Sequence, residues 1–143
     1  MSLFKTNKTD DYIIIAGCGR LGASLANTLS DKNGNVLIMD SDKESFRRLS
    51  ADFGGLSVVG NATDIDALRD AEIERARAVI AVTNDDNTNI MVAQIASEMF
   101  HVKNVIARLY DPERENVYQE LGIDTICPAT LSVNEIDKIL RSR

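Results

Sequence analysis

Tyr12-Ile13-Ile14-Ile15-Ala16-Gly17-Cys18-Gly19-Arg20-Leu21-Gly22 decides the fold. Its first five residues form a continuous β-branched apolar run, the pattern of a strand buried on both faces of a parallel sheet. The next six fit G-x-G-x-x-G, and Leu21, Leu25 and Leu29 then recur at helical spacing. A glycine-rich turn that closes a strand and opens a helix has a physical rationale. Gly17 makes the tight turn, Gly19 lets backbone approach a pyrophosphate, and Gly22 permits close helix-to-strand packing. The helix N-terminus offers unpaired N–H groups and partial positive charge, so Gly17, Cys18, Gly19, Arg20, Leu21 and Gly22 together form a candidate phosphate-binding turn.

Outward from this turn the chain alternates strands and helices. Val36-Leu37-Ile38-Met39 is a second strand closed by Asp40, and Ser41 or Asp42 can cap a following helix in which Phe46 and Leu49 face inward. A third strand at 56–59 ends at Gly60, and Thr63 or Asp64 caps the helix after it. Strands are expected at 78–82, 105–109 and 125–127. Helices are expected from about 87 to 100, with Ile90, Val92, Ile95 and Met99 on one side, from Asp111-Pro112-Glu113 onward, and from 131 to 140. Asp31-Lys32-Asn33-Gly34 supplies turn chemistry after the first helix. Six short strands separated by helices predict an α/β, Rossmann-type doubly wound parallel six-stranded sheet in one domain over 11–143, preceded by a polar arm at 1–10.

Composition narrows the function. The 143 residues carry a net charge of −6 and are 44% hydrophobic, with one histidine and two cysteines. The acidic balance argues against duplex nucleic acid, which rewards clustered Lys and Arg. No apolar run approaches the roughly 20 residues of a membrane span, so direct membrane insertion is not expected. Two distant cysteines without a secretory signal fit a reducing cytosol rather than a disulfide framework. His101 falls between a helix and the fifth strand, on the sheet edge away from any ligand. Cys18, near a helix N-terminus, would have its thiol pKa lowered.

In open α/β sheets ligands bind beyond the carboxyl ends of the strands. Asp40, about 20 residues past the glycine turn, is placed to accept hydrogen bonds from ribose hydroxyls, with Ser41 beside it. Its charge favours NAD or an adenine nucleotide over NADP. Asn61, Ala62 and Thr63 follow strand three: Ala62 is small enough for adenine to lie on backbone, Asn61 can read the base's amino edge, and Thr63 is either a ligand contact or a cap. Thr83 and Asn84 follow strand four. Arg108, near the end of strand five, can neutralise a terminal phosphate. Arg20 can pair with a phosphate of its own ligand or of one in a neighbouring subunit.

These segments resemble the TrkA-N (KTN, or RCK N-terminal) domains of potassium-uptake and channel regulators. The resemblance rests on Ile14-Ile15-Ala16-Gly17-Cys18-Gly19-Arg20-Leu21-Gly22, Val59-Gly60-Asn61-Ala62-Thr63-Asp64, Val82-Thr83-Asn84-Asp85-Asp86, Val105-Ile106-Ala107-Arg108 and Leu121-Gly122-Ile123-Asp124. One departure is Asn61, where the family usually has Asp, which adds a donor to the adenine end. The resemblance implies a cytoplasmic module, peripheral to the inner membrane, that binds NAD(H) or ATP, ADP or AMP and regulates a membrane potassium transporter or channel subunit. It also implies a homo-oligomer (a dimer, extending to a ring), with Arg20 sensing the terminal phosphate. The final helix, bearing Val133, Ile136, Ile139 and Leu140, resembles the family's crossover dimerisation helix; its alternative is packing on its own sheet. The competing classes are a small NAD-dependent oxidoreductase, or a fragment of one, and the same module on another cation transporter. An oxidoreductase needs an acid or base near the nicotinamide, and Tyr110 is the one His, Lys or Tyr that the strand C-termini offer.

Overall fold

A computed structural model describes residues 11–31 and 35–143. The expected arm at 1–10 and most of the turn at 31–34 lie outside the described residues. The elements run β1 (Ile13–Ala16), α1 (Arg20–Asp31), β2 (Val36–Asp40), a 3-10 helix (Lys43–Arg48), β3 (Leu56–Val59), α2 (Ile65–Asp70), a 3-10 turn (Ile73–Arg75), β4 (Ala78–Ala81) and α3 (Asp86–Gln94). Then follow a π-helical turn (Ile95–Met99), β5 (Asn104–Arg108), a 3-10 turn (Pro112–Arg114), α4 (Glu115–Glu120), β6 (Asp124–Ile126) and α5 (Pro128–Arg141).

All six strands are parallel, in the order β3-β2-β1-β4-β5-β6. The expected Rossmann-type doubly wound sheet is therefore what the chain forms. Strand order reverses between β1 and β4, so a crevice opens at their carboxyl ends. The β1 run supplies both layers, because successive side chains of a strand point to opposite faces. Ile13 and Ile15 join Ala23, Ala26, Val36 and Ile38 under α1, whereas Ile14 and Ala16 join Leu37, Val79, Val92 and Ala93 under α3.

Three local expectations are corrected. The segment after β2 forms a short 3-10 helix rather than a full α-helix, capped by Asp42, whose carboxylate accepts from Glu44 N–H. Phe46 and Leu49 nevertheless pack on the core beneath it. The 87–100 helix changes to π geometry after Gln94. A π turn shifts the helical register, so Met99, expected inward, is 49% exposed, while Ala96 is fully buried. The last helix starts at Pro128, whose missing N–H and fixed φ suit a first helical position. It does not pack on its own sheet: α5 buries none of its side chains among the described residues.

Candidate functional site

The glycine turn is fixed by two contacts and left open at a third point. Gly17 has φ +111°, and a Cβ there would sit 2.8 Å from the Thr83 backbone nitrogen, so the backbone conformation and the approach of the β4 turn both require glycine. A Cβ on Gly22 would lie 1.9 Å from the Gly17 carbonyl oxygen. At Gly19 the nearest atom is Asn84 Oδ1 at 3.8 Å, an ordinary contact, and φ is unremarkable. No packing contact inside the protein calls for glycine at 19. The space a side chain would take faces the crevice, beside the first N–H groups of α1, which have no acceptor within the helix.

That crevice is a cleft of about 460 Å³, within the range of small-molecule sites. Gly17 and Gly19 form its floor. Its sides come from β2 and its 3-10 helix (Met39, Asp40, Ser41, Asp42, Ser45, Arg48), from the β3 end (Gly60, Asn61, Ala62) and from the β4 end (Thr83, Asn84, Asp85, Thr88). Of the residues expected at a site, Gly17, Gly19, Asp40, Ser41, Asn61, Ala62, Thr83 and Asn84 are thus brought together. Cys18, Arg20, Leu21, Gly22, Thr63 and Arg108 do not line the cleft.

Asp40 ties β2 to the turn. Its Oδ2 accepts from the Cys18 N–H and its Oδ1 from the Asp42 N–H, both at 2.8 Å. Each carboxylate oxygen keeps a second lone pair, so a diol can still be accepted. Asp42, not Asp40 or Ser41, caps the following 3-10 helix. The Asn61 Oδ1 is turned inward, accepting from Thr63 N–H (2.9 Å) and Thr63 Oγ1 (2.7 Å). The backbone N–H can only donate, so this fixes the amide orientation, and the Asn61 NH2 is the group that remains for a ligand. Thr63 serves this turn while Asp64 caps α2 by accepting from Asp66 N–H.

The β4 rim hangs on a residue that sequence reading did not single out. Asn89 of α3 is fully buried. Its Oδ1 accepts from Thr83 N–H (2.8 Å) and Thr83 Oγ1 (2.6 Å), and its Nδ2 donates to the carbonyls of Thr83 (3.1 Å) and Arg108 (3.0 Å). An Asn among Ile90, Val92 and Ala93 on an inward helical face was the available signal, since a buried amide needs a built network. Arg108 belongs to the same network. It is buried, its Nη2 donates to the Thr83 carbonyl and, at 3.1 Å, to Asn84 Oδ1, and its guanidinium lies 4.8 Å from the Tyr110 ring centre. Its charge therefore sits behind the Thr83–Asn84 turn and orients the Asn84 amide over the glycine floor. Arg20 opens α1 and is exposed.

Cys18 corrects another expectation. Its thiol is pushed up, not down, from the ordinary thiol range, chiefly by burial and secondarily by the Asp40 charge, against a smaller opposing pull from Arg48. The side chain points away from the helix end and donates from Sγ to the Ser45 carbonyl at 3.4 Å. His101 is exposed, with φ 52°. Among the described residues no cluster of His, Cys, Asp or Glu could hold a metal ion, and no helix is long and apolar enough to cross a membrane.

The sheet order and the glycine-floored crevice at its switch point define a Rossmann-type domain. The chain belongs to the TrkA-N domain family, whose model matches residues 13–128. Over 125 residues it is 47% identical to the Trk system potassium uptake protein TrkA of Streptomyces coelicolor, covering 87% of this chain and 56% of that one. The Trk system potassium uptake protein TrkA homolog of Pyrococcus abyssi is 34% identical, with 77% and 48% covered. The chain thus spans about half the length of these relatives. Among solved structures, GsuK bound to ADP is 28% identical with a TM-score of 0.76, covering 93% of this chain and 35% of that one. The TrkA-N domain of inner membrane protein ybaL from Escherichia coli has a TM-score of 0.81 at 17% identity, with 94% and 99% covered, a likeness of fold.

Proposed function

We propose that this chain is a regulatory module of a potassium-uptake system or channel, one that binds NAD(H) or an adenine nucleotide (ATP, ADP or AMP) in the crevice over Gly19. One observation carries the nucleotide reading: Gly19 has no packing reason to be glycine, yet it floors the cleft where backbone must approach a ligand. Asp40 then holds the ribose diol, Asn61 donates to the base, and Ala62 gives the ring a flat wall. The α1 N-terminus faces the phosphates. Relatives named for Trk potassium uptake, and the ADP-bound neighbour, support the same assignment.

The readout runs through other chains. Leu131, Val133, Ile136, Ile139 and Leu140 are each between 46% and 69% exposed on α5. A 14-residue helix with no packed face of its own is marginal in water, so we assign this stripe to a second copy of the chain. The resulting homo-oligomer, a dimer or a ring built from dimers, would sit at the cytoplasmic face against the transporter or channel subunit. A nucleotide changes its state only by binding two arrangements unequally. The described lining of the cleft has no His, Lys, Tyr or Cys, which favours regulation over a small oxidoreductase.

Calorimetric titration with NAD, NADH, ATP, ADP and AMP tests the reading. Saturable binding of at least one, without hydride transfer, is the expected result; no binding by any of the five contradicts it. Replacing Arg20 with Ala should leave adenosine binding intact and erase discrimination between di- and triphosphate or between NAD and NADH.

A further inference from the structure

One guanidinium lines the cleft, and it belongs to neither arginine that the motifs point to. Arg48, the last residue of the 3-10 helix Lys43–Arg48, is the only cation among the described lining residues, against the carboxylates of Asp40, Asp42 and Asp85. Those carboxylates are turned into their own backbone. Asp40 accepts from Cys18 and Asp42 N–H, Asp42 from Glu44 N–H, and Asp85 from Asn87 N–H. Neighbouring Arg47 is paired with Glu44 at 2.8 Å, whereas Arg48 makes no ion pair among the described residues. Its polar contact is a long one, from Nη1 to the Cys18 carbonyl at 3.5 Å. That carbonyl belongs to the peptide whose N–H is on Gly19, and Asp40 grips the same Cys18 from its N–H side. The guanidinium therefore stands beside the peptide that forms the glycine floor, with most of its five donors uncommitted.

We propose that Arg48 is the cation of the cleft that contacts the first phosphate of the bound nucleotide, the one AMP already carries. It so sets preference for the phosphorylated ligand over the nucleoside, leaving the terminal phosphate of longer ligands to Arg20. The inference rests on the nucleotide reading above. A planar guanidinium matches phosphate oxygens with two parallel, charge-assisted hydrogen bonds. Because Arg48 is exposed, its contribution is screened by salt.

The test is titration of wild type, Arg48→Ala and Arg20→Ala with adenosine, AMP and ADP at low and high salt. Arg48→Ala should weaken AMP and ADP by about tenfold at low salt, the scale of one exposed charge-assisted contact. Adenosine affinity and thermal melting of the free protein should not change, and the loss should shrink in high salt. Equal losses for adenosine and AMP would assign Arg48 to the base or to packing and overturn the proposal, as would an unchanged ratio of AMP to adenosine affinity. If Arg20→Ala alone removes the whole gain from the phosphate, the proposal is also overturned. Wild-type protein that binds none of these three, nor NAD, NADH or ATP, would remove the nucleotide reading itself, a result distinct from a failure of Arg48 alone.

Discussion

The glycine turn and the C-terminal helix make opposite use of the same chemistry. At the turn, every constraint is met within the chain: the Thr83 backbone closes on Gly17, the Gly17 carbonyl closes on Gly22, and Asp40 holds Cys18. Along α5 an apolar stripe stays about half exposed or more, and none of its side chains is buried. The first region is complete and leaves a cleft beside it. The second is incomplete and leaves an apolar surface. The proposed function uses both, the cleft to register a nucleotide and the surface to report it to a second copy.

Breaking the complete region should have the largest effect. Gly22→Ala drives a methyl group into the Gly17 carbonyl and should cost about 3 kcal/mol or more, beyond the usual range for overpacking, because backbone cannot step aside. Urea denaturation would read this as a large drop in midpoint. Next comes Asn89→Ala, which takes the partner from Thr83 N–H and from the Arg108 carbonyl, while the Thr83 carbonyl keeps the Arg108 guanidinium. A loss of about 2 kcal/mol is expected, with weakened nucleotide binding, by the same denaturation series and a parallel titration.

The incomplete region should behave differently. Compared at dilutions where wild type is monomeric too, replacing Val133 and Ile136 together with Ser should leave unfolding within about 0.5 kcal/mol of wild type, as for exposed positions. At higher concentration it should nonetheless shift sedimentation from dimer to monomer. A stability loss equal to that of Asn89→Ala would place α5 in the core and erase the contrast. The smallest effect concerns Cys18. Its raised thiol keeps the proton in the native state beyond the pH at which the unfolded chain loses it, so the native state binds more protons there. The stabilisation is full below the ordinary thiol range and is lost as pH rises through and above it. Stability of wild type relative to Cys18→Ala should therefore decline at alkaline pH, and native Cys18 should be alkylated far more slowly than in urea.

The sheet was legible because its central strands β1, β2 and β4 are continuous apolar runs that alternate with helical spacing. The edge strands β3 (Leu56-Ser57-Val58-Val59) and β6 (Asp124-Thr125-Ile126) follow from their place in that alternation. Ile13 to Ala16 declare a doubly covered strand with no help from tertiary structure. The site was legible where backbone conformation writes itself into sequence, as at Gly17 and Gly22, or where a carboxylate ends a strand, as at Asp40. It was not legible where a side chain's direction depends on tertiary packing. Arg108 ends β5 and Arg48 ends the 3-10 helix after β2, yet only the fold turns the first behind the rim and the second into the cleft. Asn61 and Thr63 likewise bond each other rather than standing as independent contacts. Cys18 shows the same limit, since burial outweighs the helix end that sequence position suggests.

Gly19→Val tests the central claim most directly, by calorimetric titration with ADP and NAD beside a thermal melt of the same sample. A Cβ at 19 meets nothing nearer than 3.8 Å, and Val in place of Gly just before α1 should cost only about 1 kcal/mol. The protein should therefore stay folded, with a melting temperature lowered by a few degrees at most. The side chain fills the place of the phosphates, and binding should fall at least tenfold. A Gly19→Val protein that binds as wild type does, with its fold intact, would contradict the account.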